Sequence, residues 1–287
     1  MPWTVAAPLA GGTAAAWAAT SGGRAPPVAA VRPWLRELTV MLGLYALWQY
    51  AGRFSLGQAA AATGRGRSIW RTERSWHVPS EAWLQHLVLG HHAVLLAANL
   101  YYGVMHVAAL GALLVWSFVR HRDRYPAVRN AVASVTAACL VIQLWPVAPP
   151  RLVAGLGVVD TGRLVGPSVY GAGAGATGGA GIDQLSAMPS VHLAWALVVG
   201  VAVVALSRHR WRGWALAHPL VTLWVIVVTG NHYWADAAVA AVLCAPAIWA
   251  TGLCRPPPLR GPGLLRGTGR SSPVRWLDRP SSSPPGP

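Results

Sequence analysis

Residues 230–250 read GNHYWADAAVAAVLCAPAIWA, a stretch in which a histidine and an aspartate precede an almost purely apolar run. His232 and Asp236 are four residues apart, so they share one face of a helix. A carboxylate inside a membrane span costs up to about 3 kcal/mol on insertion scales, and less near the end of the span. An ionisable residue with that cost usually pairs with another polar group or has a functional role, so both residues are candidates for a functional site.

The composition of the whole chain indicates an integral membrane protein. Of the 287 residues, 54% are hydrophobic and only 11% are charged, which is too little polar material to cover a soluble globule of this size. The formal net charge is +15, and every basic residue is an arginine. The arginines cluster between and beyond the apolar runs, as residues that set membrane topology and attract anionic lipid do. We therefore expect no nucleic-acid partner.

The three cysteines predict neither a disulfide framework nor a CxxC metal site. Their number is odd, and each lies within or at the end of an apolar segment. We expect Cys139, Cys244 and Cys254 to be small residues of the core.

Apolar runs near bilayer length predict an all-α, polytopic membrane protein with six transmembrane helices. The spans are 34–51, 93–118, 130–147, 189–206, 214–230 and 233–253. A segment rich in Trp and Arg at 64–86 is expected to be an interfacial helix rather than a crossing. The domain organisation is a disordered N-terminal tail over 1–30, a membrane domain over 31–254 and a disordered Pro/Arg-rich tail over 255–287.

Six crossings place both termini on one side of the membrane. The connections 119–129 and 207–213 and the C-terminal tail lie on that side and are rich in arginine, which predicts that it is the cytoplasmic side of the cell membrane. The other connections face outward. The outward segment 52–92 conflicts with this rule, and we assign its arginines to the lipid headgroup region. They are Arg53, Arg65, Arg67, Arg71 and Arg74.

A second histidine is expected at the same membrane face as His232. His192 follows Pro189 and Ser190, which predict the first turn and the cap of the fourth span. The fourth and sixth spans both begin on the outer side, so His192, His232 and Asp236 can face one another across the bundle. The sequence thus predicts an active site on the extracytoplasmic face.

These side chains suit phosphoryl transfer. An aspartate one turn after a histidine can accept the imidazole N–H, which leaves the other ring nitrogen as a nucleophile. A second histidine, when protonated, can donate to a leaving oxygen. Phosphorus is the expected electrophile, because Arg151 and the N-terminus of the fourth span offer groups that bind an anion.

Other interpretations of the histidines stay open. His192 and His232 supply the pair of ligands that a haem requires, but that interpretation leaves Asp236 unexplained. A metal site of two histidines and one aspartate is chemically feasible. Five other histidines are expected to be packing or interfacial residues, namely His77, His86, His91, His92 and His106.

PSVH at 189–192, followed by TGNHYWAD at 229–236, resembles the type-2 phosphatidic acid phosphatase superfamily. APPR at 148–151 is similar to the branch that contains the aureobasidin-sensitive inositol phosphorylceramide synthases. The resemblance covers about 70–250. It includes Glu73, NLYYGVMH at 99–106 and RYPAVRNA at 124–131.

The resemblance implies a membrane-embedded lipid phosphatase or lipid phosphotransferase that requires no metal or other cofactor. His232 would form a phosphohistidine intermediate, Asp236 would orient it and His192 would protonate the departing group. The substrate-binding residues would be Arg151, Ser190, Asn231 and Tyr233. The partners would be the bilayer and a lipid phosphate or phospholipid, with transfer of an inositol-phosphate-type headgroup as one outcome.

The chain departs from the phosphatases of this superfamily at two phosphate-binding motifs. It has no equivalent of their Lys…Arg-Pro motif, and Ile226 stands where they carry an arginine six residues before the nucleophile. These departures agree with the transferase-like branch. They also favour the alternative of a non-catalytic membrane transporter or lipid-binding scaffold with the same fold. The headgroup, the acceptor and the oligomeric state do not follow from the sequence.

Overall fold

The computed structural model describes residues 3–20, 26–51, 58–165 and 185–255. Within these ranges the regular elements are helices, and the β-structure is limited to one isolated bridge between Val147 and Ser186. The prediction of an all-α fold is confirmed. The predicted C-terminal tail lies outside the described residues except for Arg255.

The described ranges contain ten α-helices. They are α1 (Trp3–Ala19), α2 (Pro26–Ala51), α3 (Ala59–Ser75), α4 (Glu81–Leu89), α5 (His92–Arg120), α6 (Tyr125–Gln143), α7 (Thr161–Val165), α8 (Val191–Leu206), α9 (Ala217–Val228) and α10 (Trp234–Ala250). Short 3-10 helices at Pro150–Leu152 and Arg212–Leu216 precede α7 and α9.

Each predicted span coincides with one of these helices, in the order α2, α5, α6, α8, α9 and α10. Among the described residues, α5 and α6 are long and apolar enough to cross a membrane, and α8, Arg212–Val228 and α10 are apolar but shorter. Membrane association is therefore plausible, and the six-span bundle stays a prediction.

The segment expected to be one interfacial helix forms two helices. Helix α3 ends at Ser75 and α4 begins at Glu81, and between them His77 has a positive φ of 55°. Two residues account for the break. Pro79 disfavours a helical conformation at the residue before it, and Ser80 has the extended backbone of an N-cap residue.

Helix α1 lies within the segment expected to be a disordered tail. Its sequence is rich in alanine, the residue with the highest helix propensity, and this outweighs the glycines and Pro8 that suggested a loose chain. The helix packs along α2, where the Thr39 hydroxyl donates to Thr13 Oγ1 at 3.1 Å. The structure differs here from the expected tail, and the domain boundaries themselves stay predictions.

Helix α8 is at the centre of the bundle. It packs against α5, α6, α9 and α10. Its sequence VHLAWALVVGVAVVAL is apolar on every side, as expected for a helix that other helices surround. Cys139 and Cys244 are buried in this core as expected, but Cys254 is exposed because it follows the end of α10.

At one end of the bundle, the helix ends that were predicted to be cytoplasmic are joined by polar contacts. The Glu37 carboxylate of α2 accepts hydrogen bonds from Arg129 and from the Tyr125 hydroxyl, both at 2.9 Å. The Arg124 guanidinium donates to the carbonyl of Leu253, beyond the end of α10, at 2.7 Å.

Three connections were predicted to face outward, namely those after α2, after α6 and between α9 and α10. At this opposite end of the bundle, their described parts pack on one another. The backbone N–H of Ala148 donates to the carbonyl of Ala62 in α3 at 3.1 Å. The N–H of Arg151 donates to the carbonyl of Gly230, between α9 and α10, at 3.1 Å. Residues from distant parts of the sequence therefore meet beside His232.

Three of the five arginines that conflicted with the predicted topology donate hydrogen bonds to backbone carbonyls of these connections. Arg65 donates to the carbonyl of Pro146 at 2.8 Å, Arg67 to Ala154 at 2.9 Å and Arg74 to Pro79 at 2.9 Å. Their role in packing explains why they occur on this side of the bundle. Arg53 lies outside the described residues.

We predict that Gly66→Ala destabilises the protein, whereas Gly64→Ala in the same helix does not. A Cβ at position 66 would lie 2.6 Å from the Ala148 carbonyl oxygen and 2.7 Å from the Tyr233 hydroxyl, while a Cβ at position 64 would meet nothing within 4 Å. Overpacking costs about 1–3 kcal/mol. An exposed helical Gly→Ala change gains about 0.5–1 kcal/mol. Thermal unfolding in detergent measures both, and equal midpoints for the two variants would contradict this packing.

Candidate active site

His232 lies in the short turn between α9 and α10. Gly230 reverses the chain with a φ of 69°, a conformation that glycine adopts without strain. The backbone N–H groups of Asn231 and His232 both donate to the carbonyl of Ile226, at 3.2 and 3.1 Å. The turn leaves His232 only 3% exposed. The Ile226 side chain belongs to the apolar core.

The imidazole of His232 is held through one nitrogen. Nδ1 lies 2.7 Å from the carbonyl oxygen of Ala187 and 3.3 Å from Asp236 Oδ2. Both neighbours are acceptors, so Nδ1 carries the proton in the neutral ring and Nε2 holds the lone pair. Nε2 is buried and has no hydrogen-bond partner among the described residues. A nitrogen of this kind has the free lone pair that a nucleophile requires, and the role of His232 as nucleophile stays a prediction.

Asp236 is fully buried and has two neighbours. Its Oδ2 accepts the backbone N–H of Tyr233 at 2.9 Å, which caps the first turn of α10, and lies 3.3 Å from His232 Nδ1. The carbonyl of Ala187 is closer to Nδ1 than the carboxylate is. Asp236 therefore fixes the turn that carries His232 as well as contacting the imidazole.

His192 is brought close to His232 by the start of α8. Ser190 is the N-cap residue, and its hydroxyl oxygen accepts the N–H of Leu193 at 3.3 Å. Pro189 precedes this cap, so it lies outside the helix and not in the first turn. The ring centroids of His192 and His232 are 5.8 Å apart. The imidazole of α8 and that of the α9–α10 turn thus meet at the same end of the bundle.

Two side chains that the sequence did not assign to the site lie against His192. The Tyr102 ring stacks on it with centroids 4.1 Å apart, and the His106 ring lies at the same centroid distance. We expected His106 to be only a packing or interfacial residue. The available signal was the four-residue spacing of Tyr102 and His106, which puts both on one face of α5.

Arg151 is positioned by its neighbours beside the His232 turn. Its guanidinium donates to Asn231 Oδ1 and lies 3.6 Å from Asp160 Oδ2, and its side chain is only 4% exposed. Asn231 also donates from Nδ2 to the Thr229 hydroxyl at 2.8 Å, which fixes the orientation of its amide. Asn231 therefore holds Arg151 through its amide oxygen.

The Tyr233 hydroxyl is engaged away from the two histidines. It donates to the carbonyl of Ala148 at 3.1 Å, and the ring is fully buried in a cluster with Val147 and Val153. Tyr233 thus anchors the start of α10 to the connection after α6. Its contact with substrate stays a prediction.

In the ranges that the structure describes, no group of three or more His, Cys, Asp and Glu side chains is arranged to hold a metal ion. The described site residues instead provide groups that suit nucleophilic attack, proton transfer and anion binding. They combine a buried nucleophilic nitrogen, a neighbouring imidazole that can transfer a proton and a guanidinium that can bind an anion.

Comparison with known proteins identifies a family. The family model of the PAP2 superfamily matches residues 67–250, a range that runs from α3 to the end of α10 and contains all of the site residues described above. No curated protein and no solved structure matches the chain. The match supports the superfamily and gives no support to the inositol phosphorylceramide synthase branch in particular.

We predict that Asn231→Asp weakens the binding of an oxyanion by about tenfold or more, which corresponds to about 1.4 kcal/mol. The new carboxylate, together with Asp160, would neutralise the Arg151 guanidinium. The measurement is the shift of the thermal unfolding midpoint as orthovanadate is added.

The matched control is Asn130→Asp, because Asn130 also accepts hydrogen bonds from an arginine, Arg129, at an exposed site on α6. This control should bind vanadate as the wild type does. Equal vanadate affinity for Asn231→Asp and the wild type would contradict a role for Arg151 in anion binding.

Proposed function

The chain belongs to the PAP2 superfamily, and from this premise we propose that it is a membrane-embedded lipid phosphatase or lipid phosphotransferase with His232 as its nucleophile. Membership suggests chemistry on the phosphate groups of lipids. The observation that carries the proposal is the state of the His232 ring, with Nδ1 held by Ala187 and Asp236 and Nε2 buried without a partner.

In the first step, the Nε2 lone pair of His232 attacks phosphorus and the bond between phosphorus and the leaving oxygen breaks. His192, in its protonated form, donates a proton to that oxygen. The product is a phosphohistidine at His232, whose positive charge is stabilised by the Ala187 carbonyl and the Asp236 carboxylate near Nδ1. Arg151 binds the phosphate oxygens.

In the second step, the oxygen of water or of an alcohol attacks the phosphohistidine. His192, now neutral, takes the proton of the attacking group, and the bond between phosphorus and Nε2 breaks. Both His192 and His232 return to their initial states, so the proton balance closes over the cycle. The proposed steps involve no metal ion or other cofactor. Hydrolysis and headgroup transfer differ only in the acceptor of this step.

Transfer of an inositol-phosphate-type headgroup is the finer form of the proposal. It rests on the resemblance of APPR at 148–151 and on the apolar Ile226 at a position where the phosphatases carry an arginine. An incomplete set of phosphate-binding residues also favours the alternative, a transporter or lipid-binding scaffold. That alternative predicts binding of lipid phosphates without turnover.

We predict that His232→Ala abolishes the release of phosphate or headgroup from lipid phosphates in detergent. His192→Ala should lower the turnover number by about 10²–10⁴-fold, the usual contribution of a general acid or base. The measurement is mass spectrometry of the products from a set of lipid phosphates and phospholipids.

The matched control for this experiment is His86→Ala, which removes an exposed imidazole from α4 at the same end of the bundle. It should keep wild-type activity. Turnover by the folded His232→Ala variant equal to that of the wild type would end the assignment of the nucleophile.

We also propose that the end of the bundle with His232 faces the extracytoplasmic side and that both termini are cytoplasmic. Exposed tryptophans occur near both ends, as in the aromatic belts of membrane proteins. They are Trp76, Trp83 and Trp145 near the His232 end and Trp211, Trp214 and Trp249 near the other end. Arginine-rich connections at this second end support the same orientation.

We predict that a membrane-impermeant maleimide labels Cys254 only after cells that express the protein are permeabilised. Cys254 is exposed at the end of α10, whereas Cys139 and Cys244 are buried, so the wild-type chain offers one reactive site among the described cysteines. Ser75→Cys, at an exposed residue of α3, should add labelling in intact cells. Labelling of Cys254 in intact cells would contradict the orientation.

A further inference from the structure

Two buried glutamates lie beside the turn that carries His232. Glu73 in α3 is 3% exposed and Glu81 in α4 is fully buried. Acidic side chains are almost never fully buried unless they are paired. The steps proposed for phosphoryl transfer use neither of them, so their position needs another explanation.

Glu73 contacts the first turn of α10 directly. Its Oε1 accepts the backbone N–H of Ala235 at 2.7 Å. The next residue towards His232 is Trp234, whose indole N–H donates to the carbonyl of Pro79, between α3 and α4, at 2.9 Å. The end of α3 and the segment that leads to α4 therefore hold Trp234 and Ala235, the second and third residues after His232.

The charges around the two glutamates do not balance if both are ionised. Arg74 is the cation within ion-pair distance, with its NH2 nitrogen 3.4 Å from Glu81 Oε2 and 3.9 Å from Glu73 Oε2. Nearby Asp236 adds a further negative charge. The Arg67 guanidinium donates to the carbonyl of Ala154 and the Tyr233 hydroxyl to the carbonyl of Ala148. One guanidinium beside two buried carboxylates leaves one negative charge without compensation.

Within the described ranges, two carboxyl oxygens, one from Glu73 and one from Glu81, lack the donor that a buried oxygen needs, which indicates a proton between them. Glu73 Oε2 and Glu81 Oε1 are both buried and have no donor among the described residues. Both carboxyl groups lie against the same Arg74 nitrogen, which brings the two side chains together. Two oxygens that can only accept repel each other, but a single proton between them makes an O–H···O hydrogen bond, one of the strongest kinds when one partner is charged.

We propose that Glu73 and Glu81 share one proton, and that this pair is the positioning device that holds the first turn of α10 and thereby aims His232 Nε2 into the site. With the proton present, Arg74 and the remaining negative charge balance. Without it, two carboxylates repel across the α3–α4 connection and loosen the contact to Ala235. The effect on turnover rests on the proposed function, whereas the shared proton does not.

The proton should be retained well above the usual range of a glutamate. Burial, together with the hydrogen bond and the charge of Glu81, raises the pKa of Glu73 from 4.5 to about 9. Because the folded form keeps a proton that the unfolded chain loses, this group's contribution to stability is full below about pH 4.5 and is lost as the pH rises to about 9. Stability should therefore fall as the pH rises from about 4.5 to about 9, whereas activity should fall near pH 9, where the folded form itself loses the proton.

The decisive variant is Glu73→Gln. Its amide oxygen can still accept the Ala235 N–H, and its amide nitrogen donates to Glu81 at every pH. We expect activity close to that of the wild type at neutral pH, a smaller loss of unfolding midpoint between about pH 4.5 and about 9, and a smaller loss of activity near pH 9. Glu73→Ala, which removes both contacts, should lower the turnover number at all pH values with little change in KM.

The matched control is Glu37→Gln, because Glu37 is also a partly buried glutamate paired with an arginine, but at the opposite end of the bundle. Glu37→Gln should keep the alkaline loss of activity seen in the wild type. A residue that is only structural would not shift the alkaline limb of the pH profile, so this shift is the diagnostic result.

Infrared spectroscopy tests the proton without reference to activity. Protein that carries isotope-labelled glutamate should show a carboxylic-acid C=O band at neutral pH that titrates in the alkaline range and is missing from Glu73→Gln. Glu81→Gln, whose amide can donate to Glu73, is the second variant if Glu73→Gln does not fold. It should also remove the band.

The outcomes separate the two proposals. The band and its loss in the variant support the shared proton even if no lipid phosphate is turned over. The absence of a glutamic-acid band in the wild type at neutral pH would overturn the proposal. So would an alkaline profile of Glu73→Gln that matches that of the wild type in both unfolding midpoint and activity.

Discussion

The turn from Gly230 to Asp236 must hold polar groups inside an apolar bundle, and the rest of the structure follows from this constraint. A buried polar group costs free energy unless it has a hydrogen-bond partner, and the cost rises in hydrocarbon. Almost every polar group of the turn has one. The carbonyl of Ile226 accepts two backbone N–H groups, the carbonyl of Ala187 accepts His232 Nδ1, and Asp236 Oδ2 accepts the N–H of Tyr233. Among the described residues, His232 Nε2 and Asp236 Oδ1 are the polar side-chain atoms of this turn left without a partner, and Nε2 holds the lone pair that the proposed attack on phosphorus uses.

The partners of this turn come from every connection at the same end of the bundle. Helix α3 supplies Glu73, the connection after α6 supplies the carbonyl of Ala148, and the connection before α8 supplies the carbonyl of Ala187. The arginines of α3 stabilise the arrangement by donating to backbone carbonyls of these same connections. In the proposed orientation these cations lie on the side where the topology rule disfavours them. Their contacts with backbone carbonyls give a reason for their presence there that does not depend on the orientation.

Much of this arrangement could be predicted from local patterns. Apolar runs located the six main helices, and the spacing of His232 and Asp236 indicated a shared face. The missing parts depend on contacts that no local pattern reports. Ala187 contributes a backbone carbonyl, which leaves no signature in the side chain. Glu73 and Glu81 lie on either side of the break between α3 and α4, in a segment whose composition suggested one continuous helix. Helix α1 was not predicted, because its glycines and proline suggested a loose chain in spite of its many alanines. Contacts between residues distant in the sequence, and backbone carbonyls that accept hydrogen bonds, are not encoded in local sequence patterns.

The central claim is that Nε2 of His232 forms a covalent bond to phosphorus. The most direct measurement is to mix the purified protein with a lipid phosphate labelled at phosphorus, denature it within the first turnover under alkaline conditions that preserve phosphohistidine, and locate the label by mass spectrometry of peptides. We expect label on the peptide that contains His232, and none in His232→Ala. Product formation by the wild type with no label on any histidine, or with label on a different residue, would contradict it.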